Sequence, residues 1–204
     1  LDGRTAFPDG RSQWITGEAA RADVQFWRGR AGAVLTGIGT VLADDPQMNV
    51  RLPDQERQPL RFVIDPRMET PPAGKLLTSK GGKVFIAAAA EYPTRRAALE
   101  AAGAEVWVLP DAAVPGRVDL RELMRELAKR EVNEVHVEAG PRLSGALFAA
   151  GLIDEMLFYY APCLFGAGMG PAAVPLPAEP GAAYRWRLQS LDQIGGDFRV
   201  LLRR

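Results

Sequence analysis

Three stretches carry residues whose types and spacing could do chemistry. The first is EVHVEAGPRLSGALFAAG, residues 134–151, an apolar strand that stops at a carboxylate, Glu138. Gly140 and Pro141 then turn the chain into a run of small and apolar residues. Pro141 suits a first helical turn, because that position needs no N–H donor. The backbone N–H groups of Arg142, Leu143 and Ser144 would then stand at the positive end of a helix, an arrangement that attracts phosphate. Gly145 and Ala146 would let a ligand or another strand come close. A plain strand-to-helix corner has the same residues, and on sequence alone the two readings weigh equally. Glu138 divides in the same way. It is either a solvated acid at a strand end, or a carboxyl near a ligand whose pKa burial raises until it can donate a proton. His136 shares its strand face, since strand side chains alternate. A lone histidine on a core strand reads as a packed, hydrogen-bonded residue rather than a catalyst.

The second stretch is VLTGIGTVLADDPQMNVR, residues 34–51. A strand ends at Thr36-Gly37, and a short helical turn then carries Thr40 and Asp44 on one face. Asp45-Pro46 breaks the turn, which a simple helix stop also explains, and Arg51 follows. The third is GRSQWIT, residues 10–16, where Ser12 and Trp14 precede a helix.

The elements that must position these residues alternate. Apolar runs at 33–37, 61–65, 83–88, 105–109, 134–138 and 155–162 read as strands. They are nearly continuous rather than alternating, which predicts a sheet covered on both faces. Helical patterns fall between them, at 16–31, 94–102, 119–131 and 142–151. Thr16 is a candidate N-cap for the first, with Ala20, Val24, Trp27 and Ala31 as its apolar stripe and Arg28 on the border. Gly103 is a natural stop for the second. This alternation predicts α/β architecture with a mostly parallel central sheet and helices on both faces. Gly195-Gly196 separates two further strand-like runs, so a C-terminal antiparallel hairpin is expected to close one sheet edge. No composition shift marks a boundary, and the chain reads as one domain over residues 1–204.

Composition narrows the function. The 204 residues hold 25 Lys+Arg and 25 Asp+Glu, giving zero formal net charge. General nucleic-acid or membrane-surface binding would need a basic excess. A small anion held by a few arginines remains compatible. One cysteine, Cys163, and one histidine, His136, make a zinc site, or any metal site, unexpected. With neither a long apolar run nor a signal-peptide pattern, a cytoplasmic location is the default expectation. The chain opens at Leu1 rather than at a methionine and reads as a piece of a longer protein.

Taken in order and spacing, LDGRTA (1–6), SQWIT (12–16), TVLADDP (40–46) and VEAGPRLSGA (137–146) resemble the reductase domain of the bifunctional riboflavin biosynthesis protein RibD, over essentially the whole chain. The resemblance implies a dihydrofolate reductase-like fold. It also implies NADPH-dependent reduction of 5-amino-6-(5-phosphoribosylamino)uracil to the ribitylamino compound, through ribose ring opening and hydride delivery to C1′. By position, Ser12, Arg28, Met48, Arg51 and Glu138 would meet this phosphorylated pyrimidine–ribose substrate. Trp14, Thr40 and Asp44 would lie along NADPH, and the turn Gly140, Pro141, Arg142, Leu143, Ser144, Gly145, Ala146 would carry its phosphates. Glu138 is further expected to take part in proton transfer during ring opening. The resemblance implies a homodimer and a fused or separate deaminase partner, although the deaminase H-x-E…P-C-x-x-C signature is not in this sequence. In the family a lysine-bearing strand runs into LDG and contributes to the site; the sequence given begins at Leu1. Two other readings stand beside this one: a reductase of the same fold acting on another substrate, or a non-catalytic nucleotide-binding module.

Overall fold

A computed structural model of the chain describes every residue except those at positions 13 and 54. Gln13, within the SQWIT motif, lies outside the described residues. The chain divides into two compact units, one of Gln25–Gly140 and one of Leu1–Val24 with Pro141–Arg204.

Continuous apolar runs build the first unit. Its sheet contains β1 (Ala33–Gly37), β2 (Leu60–Ile64), β3 (Val84–Ala88), β4 (Glu105–Val108) and β5 (Val135–Val137). All pairings are parallel, in the order β4-β3-β2-β1-β5. Strand faces alternate. Val34, Val63, Ile86 and Val106 enter one core with Met68, Leu76 and Leu99. The opposite face stacks Phe62 on Phe85 with ring centroids 4.5 Å apart, and Trp107 meets both rings edge-on. Helix α1 (Glu18–Arg30) leads into β1, and α2 (Ile38–Asp44) leaves it. Helix α3 (Lys75–Thr78) is a single turn that the sequence reading did not assign to a helix. Helix α4 (Pro93–Ala101) stops before Gly103, whose φ of +92° is the left-handed conformation glycine adopts readily. Helix α5 (Leu120–Lys129) buries Leu123 and Leu127 and is capped by the Asp119 carboxylate, which accepts the N–H groups of Arg121 and Glu122.

The second unit holds α6 (Pro141–Ala149) and a three-stranded sheet of β6 (Glu155–Tyr160), β7 (Arg187–Ile194) and β8 (Asp197–Arg203). Both pairings are antiparallel, in the order β6-β8-β7. The expected hairpin is present, turning at Gly195 with φ +63°. Its partner differs from expectation. The hairpin pairs with β6, which had read as one more buried parallel strand, and the three form a sheet of their own among the described residues. Among the described residues, no helix is long and apolar enough to cross a membrane.

Candidate functional site

Strand order reverses once in the parallel sheet. The chain lays down β1 to β4 in one direction, and β5 returns to the far side of β1. In open parallel sheets, ligands bind where neighbouring strands part in this way, beyond their carboxyl ends. Glu138 is the first residue past β5, at this reversal. Its backbone is fixed from both sides: its N–H donates to the Leu35 carbonyl at 2.9 Å, and its carbonyl accepts the buried Thr36 hydroxyl at 2.6 Å. The sequence reading named Thr36 only as the end of a strand.

Arg28 reaches the same point from the end of α1. It lies one residue beyond the buried Trp27. Its Nε and Nη2 donate to the two Glu138 carboxylate oxygens, each at 2.5 Å, and its Nη1 donates to the Asn49 carbonyl at 3.1 Å. His136 Nε2 completes the group, 3.2 Å from Glu138 Oε1. Little solvent reaches it: the Arg28, His136 and Glu138 side chains are 11%, 16% and 29% exposed.

The electrostatics overturn one expectation. Burial acts to raise the Glu138 pKa, but the hydrogen bonds from Arg28 and His136, and their charge, outweigh it and hold the carboxyl at about 2. Glu138 is therefore an anion at neutral pH in this arrangement, not the neutral proton donor that desolvation alone would make. Arg28, expected to point at a substrate phosphate, spends its fork on Glu138.

The other expected substrate residues sort differently. Arg51 is exposed, its Nη1 donates to the Asn49 side chain at 3.3 Å, and its backbone N–H donates to Gln25. Asn49 thus joins both arginines, and no feature of its local sequence announced it. Met48 is 2% exposed, within the core, with φ +53°. Its side chain is not available to a ligand, so any contact would come from its backbone. Ser12 is half-buried and Trp14 is 73% exposed, with the Arg21 guanidinium 4.7 Å from its ring centroid.

For a nucleotide, the relevant residues are Thr40, Asp44 and the turn after Glu138. Thr40 and Asp44 lie one turn apart on α2, half-buried and exposed respectively. Asp45 takes the left-handed conformation with φ 42° and ends the helix; its Oδ1 then accepts the Lys75 N–H at 2.7 Å and so caps α3. Gly140 is exposed, and a Cβ built on it would meet nothing within 4 Å. Helix α6 begins at Pro141, so Arg142 and Leu143 have no carbonyl within the helix for their N–H groups. Gly145 serves another purpose. A Cβ there would lie 2.2 Å from the Ala173 carbonyl oxygen, and Ala173 N–H donates to the Pro141 carbonyl. The close approach that Gly145 permits is made by the backbone of Ala173, not by a ligand.

A profile of the RibD C-terminal domain matches residues 1–200. The chain belongs to that family. RibD of Escherichia coli is 37% identical over 97% of this chain, and RibD of Bacillus amyloliquefaciens is 37% identical over 85%. The chain covers 55% and 46% of these relatives, so it spans about half the length of the curated RibD proteins it matches. Acinetobacter baumannii RibD superposes over the whole chain with a TM-score of 0.86 at 36% identity, covering 55% of that protein. The Saccharomyces riboflavin biosynthesis reductase Rib7 shares the fold, with a TM-score of 0.71 at 17% identity over the whole chain and 84% of its own length.

Proposed function

We propose that this RibD C-terminal domain reduces 5-amino-6-(5-phosphoribosylamino)uracil to 5-amino-6-(5-phosphoribitylamino)uracil in riboflavin biosynthesis, with NADPH as reductant. The observation that carries the reading is the Arg28–Glu138 pair at the sheet reversal, tied through Asn49 to the exposed Arg51. Two guanidinium groups that meet at Asn49, from α1 and from the 47–51 segment, suit a sugar phosphate better than a folate, because a guanidinium makes charge-assisted bonds to oxyanions. The Glu138 carboxylate that Arg28 holds suits a carbon that becomes electron-poor.

Reduced nicotinamide would supply a hydride. The residues that would hold the cofactor are Trp14, Thr40, Asp44 and the turn from Gly140 to Ala146, where the open front of Gly140 fits a phosphate. Ser12, the Met48 backbone, Arg28 and Arg51 would hold ribose and phosphate. Glu138, anionic at neutral pH, would stabilise positive charge developing at C1′ as the ribose opens. Proton transfer by Glu138 has a condition. A substrate phosphate would have to draw Arg28 away, removing the main hydrogen-bonding partner that depresses the carboxyl pKa. Homodimerisation, a cytoplasmic location and fusion to a deaminase domain, which would supply the deaminated substrate, belong to the same proposal.

The test is NADPH oxidation, followed by its absorbance, with the deaminated uracil substrate and without it. Substrate-dependent oxidation is expected. Binding of NADPH without turnover would favour a non-catalytic nucleotide-binding module, and turnover with a different carbonyl or imine compound alone would favour a reductase of another substrate.

A further inference from the structure

Residues 47–51 form a strap between α2 and β2 that belongs to no helix or strand. Backbone polar groups in such a segment need partners from elsewhere. Here side chains supply them. Arg61 Nη1 donates to the Gln47 carbonyl at 3.0 Å, and Arg28 Nη1 donates to the Asn49 carbonyl at 3.1 Å. Gln58 takes both groups of Val50: its Oε1 accepts the Val50 N–H and its Nε2 donates to the Val50 carbonyl, each at 2.9 Å. Gln25 Oε1 accepts the Arg51 N–H at 3.0 Å. The Gln58 amide therefore treats Val50 as a neighbouring strand would, with two opposed bonds to one residue.

The strap is not a shape the chain would choose unaided. Met48 holds φ +53°, a left-handed conformation that costs a residue with a Cβ on the order of 1 kcal/mol. Arg61 is more unusual still. It is the second residue of β2, is 4% exposed, and spreads its guanidinium over three carbonyls, of Gln47, Leu76 and Gly82. Gly81 leaves room for it, since a Cβ there would lie 2.9 Å from Arg61 Cζ. An apolar residue would fill this place without the cost of burying a charge. What the charge achieves is a fixed start to the strap.

We propose that Gln58 and Arg61 are positioning residues for phosphate recognition: they fix the 47–51 strap so that Arg51 and the Asn49 anchor of Arg28 are set before substrate arrives. Preorganisation of this kind strengthens binding by removing the ordering cost. The inference rests on the substrate reading above.

The experiment uses Gln58→Ala and Gln58→Glu, with Val106→Ala as a control that loosens the core on β4 and leaves the strap's partners in place. Gln58→Glu keeps the acceptor for the Val50 N–H and loses the donor to its carbonyl. Michaelis constants are measured separately for the phosphorylated uracil substrate and for NADPH, together with competitive inhibition by ribose 5-phosphate. Gln58→Ala is expected to raise the substrate KM and the ribose 5-phosphate inhibition constant about tenfold, equivalent to about 1.4 kcal/mol, with the NADPH KM within about twofold. Gln58→Glu should move the same two constants in the same direction, and it decides the matter if Gln58→Ala does not fold. Val106→Ala should lower Tm and leave both constants in place. A folded Gln58 variant with an unchanged substrate KM, or a Val106→Ala protein whose KM rises as much, overturns the proposal alone. Wild-type protein that binds neither ribose 5-phosphate nor the uracil substrate overturns the parent reading and this proposal with it.

Discussion

The strap at 47–51 and the turn at 140–146 both follow the end of a regular element, and both carry proposed ligand contacts, yet they are built in opposite ways. The strap is braced by side chains from α1, β2 and the segment before β2, and its proposed anion-binding groups are guanidinium side chains. The turn offers backbone N–H groups at a helix start and, at Gly140, nothing within 4 Å of where a Cβ would stand. One region would recognise charge through long side chains whose aim must be fixed. The other would do so through backbone dipoles whose aim the helix already fixes, so it would need only empty space. The two should therefore fail differently: the strap to loss of polar side chains, the turn to added bulk.

Mutations that break this contrast rank by expected effect. Glu138→Gln should be the most damaging, because the proposed reaction places this carboxylate at the reacting centre: kcat/KM for the uracil substrate should fall roughly 100-fold, within the range for removing a positioned catalytic group. It should also destabilise the protein by about 2 kcal/mol, since Arg28 is left half-paired and poorly solvated. The pH dependence has a definite sign. Glu138 has its pKa lowered from 4.5 to about 2 on folding, so its contribution is complete above 4.5 and disappears as pH falls toward 2. Chemical denaturation of wild type and Glu138→Gln should thus converge across that interval; a constant gap would contradict the ion-pair account.

Arg51→Ala should come next. Substrate KM should rise about 30-fold, the loss of charge-assisted hydrogen bonds worth about 2 kcal/mol, while NADPH affinity holds. Equal weakening of both ligands would erase the division between strap and turn. Gly140→Val should do the reverse, weakening NADPH by about tenfold, or about 1.4 kcal/mol, with substrate affinity and Tm unchanged. Unaltered NADPH binding would make the turn a plain corner. Asp45→Ala should have the smallest effect. It removes the acceptor for the Lys75 N–H at the start of α3, and thermal unfolding should report a loss of about 1 kcal/mol with both Michaelis constants intact.

How much of this was legible in the sequence follows from the range of each interaction. Parallel strands covered on both faces write themselves as apolar runs, so β1 to β5 were readable one by one. The run that became β6 looked the same, and only its pairing with β8 distinguishes it; pairing is non-local and leaves no mark in a single strand. Helix ends at Gly103 and Asp45 were visible because backbone conformation there depends on the residue itself. The Asp45 carboxylate reaching Lys75, 30 residues on, was not. The site shows the same division. Glu138 and the Gly140-Pro141 turn stood out locally, and the resemblance supplied Arg28 and Arg51. The ion pair between Arg28 and Glu138 crosses 110 residues, and it reverses the pKa direction that burial alone suggests. His136, set aside as a packed histidine, is packed, but against that same carboxylate. Met48 was named by position, and its burial restricts the contact to its backbone. Arg61 left one usable signal, a charge opening an apolar strand. Gln58 left none, because an amide before a strand reads as ordinary loop.

The most direct test of the central claim follows the hydride itself. The protein is supplied with NADPH deuterated at the transferable C4 position of the nicotinamide and with 5-amino-6-(5-phosphoribosylamino)uracil, and the product is examined by NMR and mass spectrometry. The account predicts one deuterium, at C1′ of the ribityl chain. Consumption of the substrate with no deuterium at C1′, or no reduced product at all from folded protein that binds both ligands, would contradict it.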